Sequence, residues 1–313
     1  MKYYGIQNEV KAYINRLNRD NISVTTDDLK MVNDRVILLK KSGVWSKFSL
    51  GFNDIDADAY CVRAGVTNLL GRCEVIWFAK GVKSLGLWNS MVSWPMRNYQ
   101  NVGTSSTIYS LGGLGIFNGT SVNSPTWGSD GVNFSSTNQL VSFAANIPAS
   151  IYTLLTIISP SNTITSASPA MSPIGVKLFG GILLGSSTGG LTNELITRYV
   201  GEGDTSPTMV KAGGYTGAGS ILANTFNYIS TSIANSGILS INWNGNSLAV
   251  TNSTGWIPNT SAAYTLGDRP FNDASFLGNM AFSALLNVEG DSNQQVLFYN
   301  LYKNTIGNNL GLP

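Results

Sequence analysis

The sequence predicts a mostly-β chain, a two-sheet antiparallel sandwich preceded by a small helical module. Three observations carry that expectation. Apolar spacing changes along the chain from a period of about 3.6 residues to short runs and strict alternation. Charge is concentrated at the beginning. Glycine, asparagine, serine and threonine replace charged side chains over the rest. Charged residues make up 12% of the 313 while hydrophobic residues make up 43%, so a substantial core is available with few ionic groups around it. The 34 glycines, with the amides and hydroxyls, suit turns and the outer faces of strands.

Residues 1–47 hold nine Lys/Arg against five Asp/Glu, a balance of +4 that leaves −2 for the remainder of a chain whose net charge is +2. This asymmetry, with the change of period, divides the chain into a helical module (1–47), a connecting segment (48–89) and a sandwich (90–313). In the module, Val10, Ile14 and Leu17 recur at i, i+4 and i+7, with Arg16 and Arg19 turned away. Thr25 and Asp28 have capping-box spacing, and Leu29, Val32, Val36 and Leu39 form the stripe that follows. Lys40 and Lys41 complement the carbonyl end of that helix, and Gly43 stands where a terminating residue belongs. Two apolar stripes in so short a module need cover, and another chain, a second copy or a different protein, is the expected source.

In the connecting segment, Ala59–Ala64 and Glu74–Ala79 read as short strands or buried turns, and Trp45, Trp77 and Trp88 supply packing bulk. From Ser90 the strands expected are Ile151–Ser159, Gly175–Leu184, the hairpin within Ile238–Val250 and Ala281–Val288. Asn244-Gly245 is the preferred pair for a two-residue type I′ turn. A final helix from Ser292 to Ile306 presents Val296, Tyr299 and Ile306 before Gly307 ends it.

The chain contains no histidine, which removes Ser-His-Asp and Cys-His catalysis, His-ligated zinc and the usual base near neutral pH. Gly112-Gly113-Leu114-Gly115 lacks the lysine that would complete a phosphate loop, so no cofactor is expected. The small net charge gives no field for nucleic acid. Lys2, Glu9 and Lys11 interrupt any signal-peptide core, and no apolar run approaches the ~20 residues of a membrane span. Cys61 and Cys73 fit two buried thiols as well as a bonded pair. Asn118-Gly119-Thr120 and Asn252-Ser253-Thr254 match a glycosylation pattern that chance supplies readily in a chain of this composition.

One carboxylate cluster stands out: Asp54, Asp56 and Asp58 alternate, so on a strand all three would share a face. Sandwich-fold glucanases place a nucleophile and an acid/base in that way. Aspartate is short for the task, however, and the cluster lies outside the strand-rich region. As a calcium loop it lacks the turn glycine and the final bidentate glutamate, with Ala59 and Gly65 in their places. A solvated loop is the expectation, with a cation site next and catalysis last. Among the aromatic residues, Trp256 in a polar loop, Tyr264 and Trp127 are the candidates for stacking on a sugar ring, whereas Trp243 reads as core.

Asn123-Ser124-Pro125-Thr126-Trp127-Gly128, followed by Gly131-Val132-Asn133-Phe134 and the run Asn138–Phe143, resembles the opening of concanavalin A-like/laminin-G-like domains of bacteriophage virion proteins. Ile241-Asn242-Trp243-Asn244-Gly245, Tyr264-Thr265-Leu266-Gly267-Asp268, Phe276-Leu277-Gly278-Asn279-Met280-Ala281 and Leu297–Tyr302 are similar to the end of the same domain. Val32–Trp45 looks like the helix and turn that phage tail-fibre and head-appendage proteins carry before it. The resemblance covers most of the chain and implies a concanavalin A-like jelly roll in a virion component, a tail or head fibre or a capsid decoration protein. The implied partners are other virion proteins of capsid, neck or tail, a second copy of the chain, and a host-surface glycan bound without cleavage. No family catalytic residue transfers, so the chain is expected not to be an enzyme. A polysaccharide-cleaving enzyme on the same fold is the alternative, which would need a convergent carboxylate pair from Asp54, Asp56 and Asp58 or from Glu194, Glu202 and Asp268.

Overall fold

The computed structural model describes residues 6–19, 22, 24–102, 106–144, 153–165, 168–169, 171–176, 180–185, 195–199, 214–215, 220–233, 238–251, 264–268 and 274–313. Five helices come first: α1 (Asn8–Arg19), α2 (Thr26–Lys41), α3 (Val44–Lys47), α4 (Ile55–Arg63) and α5 (Leu69–Ser84). Two antiparallel sheets and a last helix, α6 (Ser292–Asn304), follow.

The first sheet contains β1 (Met91–Pro95), β4 (Thr126–Gly128), β5 (Gly131–Phe134), β7 (Thr153–Pro160), β12 (Asn227–Ile233), β13 (Ile238–Trp243), β14 (Asn246–Thr251) and β16 (Gly278–Leu286). Its order is β14-β13-β12-β7-β16-β5-β4, and β1 also pairs with β16. The second sheet contains β2 (Thr107–Ile108), β3 (Gly119–Val122), β6 (Leu140–Phe143), β8 (Met171–Val176), β9 (Gly180–Leu184), β10 (Ile196–Tyr199), β11 (Gly214–Tyr215) and β15 (Tyr264–Leu266). Its order is β11-β10-β9-β8-β15-β6-β3-β2.

The first sheet is the middle of three layers. On β7, Leu154 and Ile158 enter the core shared with the second sheet, while Leu155 and Ile157 enter the core shared with the helices. All eight residues of β7 are buried for that reason. On β16 the two faces are set by a bulge. Register with β7 shifts between Met280 and Phe282. Beyond the shift, Phe282, Ala284 and Leu286 face the helices, while Leu285 joins Met280 on the inter-sheet side. One extra residue thus inverts the phase of the strand. It also divides the strand's other edge, where Gly278–Met280 pair with β5 and Phe282–Leu286 with β1.

The helical layer docks through aromatic rings. Phe78 of α5 meets Phe282 of β16 at 5.5 Å and Phe298 of α6 at 5.6 Å, both edge-on. Gly81 brings α6 close: a Cβ there would lie 2.2 Å from Leu301 Cδ1. Beneath α6, Gln295 accepts from Ser230 Oγ at 2.7 Å and donates to Ser240 Oγ at 2.6 Å and to the Gly290 carbonyl at 2.8 Å, so this buried amide is matched to strands β12 and β13.

The Thr25–Asp28 capping box is formed in both directions, and Leu29, Val32, Val36 and Leu39 are all buried. Gly43 has φ 75°, and Asn244 and Gly245 have φ 52° and 85°, the positive pair that a type I′ turn requires. Four expectations are corrected. Ala59–Ala64 and Glu74–Ala79 lie almost wholly in helices α4 and α5, not strands or buried turns. Gly175–Leu184 is not one strand but parts of the antiparallel pair β8 and β9, whose connection lies outside the described residues. The buried face of α6 is Gln295, Phe298, Tyr299, Leu301 and Tyr302, and Val296 is only half-buried. The apolar stripes of α1 and α2 are covered within the chain, by one core that also takes in α4, α5, α6 and the outer face of the first sheet. The need for another chain to cover them therefore disappears.

Because Phe78 joins helices to sheet, Phe78→Ala is expected to cost about 3–5 kcal/mol. Urea titrations followed by helical circular dichroism and by near-ultraviolet aromatic signals should shift together. Separate transitions would show that the helical layer and the sheets fold independently.

Candidate functional site

The aspartate cluster takes its geometry from the start of α4. Asp54 is the N-cap, and its Oδ1 accepts from the Ala57 backbone N–H at 3.0 Å. Lys83 Nζ donates to both Asp54 oxygens at 2.8 and 2.7 Å and to Asp56 Oδ2 at 2.6 Å. Burial opposes the charge on Lys83, but these carboxylate hydrogen bonds outweigh it and hold its pKa above the ordinary value. Asp58 is held by Arg16 at 3.2 Å and Arg72 at 3.4 Å. Burial raises its carboxyl pKa, against the pull of both guanidiniums. The three aspartates are thus neither a strand face nor a solvated loop: they tie α4 to α1 and α5. An ammonium lies between Asp54 and Asp56, where a scissile oxygen would have to sit. Among the described residues, no group of three or more His, Cys, Asp or Glu side chains is gathered as a metal would need.

Tyr264, expected at a ligand surface, is 1% exposed and stacks on Trp94 at 5.0 Å with Phe143 edge-on at 5.3 Å. Its ring is part of the inter-sheet core and offers no open face. Trp127 is half-buried on the edge strand β4 and packs against that same core, with its indole N–H enclosed and unpaired among the described residues. Trp243 is half-buried rather than fully enclosed, and its N–H donates to Asn227 Oδ1 at 2.9 Å. Trp256, Glu194 and Glu202 lie outside the described residues. Asp268 is fully buried and accepts from Ser275 Oγ at 2.6 Å, so it is a loop tie. Cys61 and Cys73 are free and buried, and burial pushes the Cys61 thiol up to about 12.

The structure gathers a different set of residues into a groove of about 420 Å³ between α1 and the segment that follows α3. Tyr13 stacks on Phe52 at 4.7 Å, and Trp45 meets Phe52 at 5.8 Å and the buried Trp77 at 6.1 Å. Trp45 is half-buried at the margin of this cluster, with Lys40 Nζ 5.6 Å from its ring centroid, farther than the 4.7 Å of Lys83 from Trp88. Polar groups stand along the rim. Arg16 lies over the Tyr13 ring at 5.0 Å and donates to Asn53 Oδ1 at 3.3 Å. Glu9 accepts from Lys40 Nζ at 2.8 Å, which holds its pKa low. An aromatic floor with fixed planar polar groups at its edge can stack on a ring and hydrogen-bond to the substituents around it. In the sequence Trp45 stands out only as packing bulk and Arg16 only as turned away from the apolar stripe, and Phe52 and Asn53 carry no distinguishing pattern. The available signal was Tyr13, Trp45 and Phe52 at the otherwise charge-rich beginning. A second depression, of about 550 Å³, borders Asp56, Lys83, Trp88 and Asn89. There Lys83 Nζ lies 4.7 Å from the Trp88 ring centroid and occupies that face.

No protein-family model matches the sequence, and no curated protein matches it. Similar solved structures include Trypanosoma rangeli sialidase in complex with sialic acid, at 13% identity and a TM-score of 0.46, covering 69% of this chain and 33% of that one. Domain 4 of a GH43 extracellular arabinanase from Geobacillus stearothermophilus, in complex with arabinotriose, is 14% identical with a TM-score of 0.40, over 67% of this chain and 87% of that one. The binding domain of botulinum neurotoxin DC in complex with SialylT is 13% identical with a TM-score of 0.42, over 66% of this chain and 50% of that one. The chain spans about a third of the length of the sialidase. The expectation that the chain is not an enzyme is corrected by these matches, whose names include a sialidase and an arabinanase.

A hydrolytic acid needs a carboxyl that titrates near neutral pH. Among the described residues, Glu74 of α5 does so: burial pushes it up to about 7, against a hydrogen bond from Gln100 and the charges of Arg97 and Arg35. Yet Glu74 is fully buried, and its Oε2 accepts from Gln100 Nε2 at 2.8 Å inside the helix–sheet contact. It is therefore a structural group with a pH signature. Its folded pKa of about 7 lies above the reference value of 4.5, so between these values the folded state binds more protons than the unfolded one. Stability due to this group is present below pH ~4.5 and is lost as pH rises through ~7, by about 3 kcal/mol. Chemical denaturation across that range should show Glu74→Gln gaining on the parent by this amount toward alkaline pH. A difference independent of pH would show that Glu74 keeps its ordinary pKa.

Proposed function

We propose that this chain is a glycan-binding surface component of a virion, with the Trp45 groove as its sugar site. The observation that carries the glycan half is that groove: a half-buried indole beside Phe52, with Asn53, Arg16 and Glu9 held around it by their own hydrogen bonds. A pyranose presents an apolar C–H face and a ring of hydroxyls, which is the complement of such a surface. The virion half rests on the motifs Asn123–Phe134, Ile241–Gly245 and Phe276–Ala281. Their similarity to concanavalin A-like domains of phage particles agrees with two antiparallel sheets packed face to face. In this reading the sandwich is of the jelly-roll type.

Ring stacking contributes about 1 kcal/mol, so one site is weak, and several copies on a particle would raise the effective affinity by orders of magnitude. Isothermal titration of the full chain with host envelope polysaccharide is expected to show Trp45→Ala binding about five- to tenfold more weakly. Unchanged affinity in a folded Trp45→Ala protein would remove the groove from the reading. Antibody labelling of purified particles should place the chain on their surface, and its absence there would defeat the virion assignment. Reducing ends are followed in the same incubations: steady release abolished by Asp56→Asn would assign hydrolysis to the depression beside Trp88.

A further inference from the structure

Resting on the glycan reading of the groove, we propose that it selects a sugar bearing a carboxylate, held by Arg19. Two other charged side chains line the groove, and each is already matched. Glu9 pairs with Lys40 at 2.8 Å, and Arg16 pairs with Asp58 at 3.2 Å. Arg19 also lines the groove, is exposed, and has no ion pair or hydrogen bond to any of the described residues. Among the described residues that line it, the groove therefore presents one positive charge without an ion-pair partner, beside an aromatic floor.

A guanidinium offers paired, coplanar N–H donors that match the two oxygens of a carboxylate, so it favours that anion over an isolated hydroxyl. Placement in the last turn of α1 also suits the carbonyl end of the helix. That role needs only positive charge, and lysine would fill it equally well. Neutral sugars would gain nothing from Arg19 beyond a single hydrogen bond. An acidic sugar would use both features of the groove at once, its ring on Trp45 and its carboxylate on the guanidinium.

The test compares trigalacturonate with the corresponding neutral galactose trisaccharide, titrated calorimetrically into the full-length protein at low ionic strength. The acidic sugar is expected to bind at least about tenfold more tightly, and the preference should shrink with added salt. Arg19→Gln should bring the ratio of the two affinities close to one. Arg19→Lys should leave an intermediate ratio, because charge remains while the paired donors are lost. Trp45→Ala should weaken both sugars and keep the ratio. Equal affinity of the unaltered protein for the two sugars would overturn the carboxylate preference and leave the glycan reading standing. Failure of both sugars to bind at millimolar concentration would overturn both readings. Hexaglutamate binding as tightly as trigalacturonate would overturn a saccharide ligand in favour of an acidic peptide.

Discussion

The first sheet carries apolar side chains on both faces, and the rest of the structure follows from the need to cover each of them. The second sheet covers one face. The other, with Leu155, Ile157, Phe282, Ala284 and Leu286, would lie bare without α5 and α6. Burying a large aliphatic or aromatic side chain contributes about 1.5–3 kcal/mol, so a face of several such residues cannot stay in water in a protein of ordinary stability. The bulge in β16 is part of this solution. It turns Phe282 outward to meet Phe78 and Phe298 and keeps Met280 and Leu285 between the sheets.

Covering that face with helices passes the requirement on to the helices themselves. Twelve of the sixteen residues of α5 are buried, because it is enclosed by the sheet on one side and by α1, α2 and α4 on the other. The charges of the N-terminal segment then fall at the seams. Lys83 joins α5 to the start of α4, and Arg16 joins α1 to Asp58. These pairs are partly exposed, so their stabilising contribution is small beside the aromatic contacts. Their larger effect is positional: they fix the cap of α4, and the segment from Phe48 to Asp54 closes one side of the Trp45 groove.

Legibility in the sequence followed local chemistry. The ends of α2 and the Asn244-Gly245 turn were readable because caps and positive-φ pairs act within four residues. Helix α5 was misread because a helix buried on nearly all sides loses its amphipathic period and looks like a buried strand. The alternation of Asp54, Asp56 and Asp58 imitated a strand, although the same residues are an N-cap and a first turn. The division of Gly175–Leu184 between β8 and β9 was equally hidden, since the glycine pair of the run, Gly180-Gly181, opens β9 and does not mark a turn. The groove left only a compositional trace, aromatic residues in a charge-rich beginning: Tyr13, Trp45 and Phe52 belong to three separate segments, and only tertiary packing brings them together.

That packing also explains why the candidate site lies on the helical layer. Tyr264, a large ring of the second sheet, is consumed in the inter-sheet core, where it stacks on Trp94 and meets Phe143 edge-on. A ring buried on both faces contributes to stability and leaves nothing for a ligand. At the edge of the helical layer the aromatic cluster outruns the volume available to enclose it. Trp77 at its centre is fully buried, whereas Trp45 at its margin is left half in solvent. The same excess of aromatic surface that closes the core therefore leaves part of the Trp45 indole accessible, with Lys40 over its ring. Removing Trp45 would then affect binding through lost contact area and stability through its edge-on packing against Trp77, two effects that titration and denaturation measure separately.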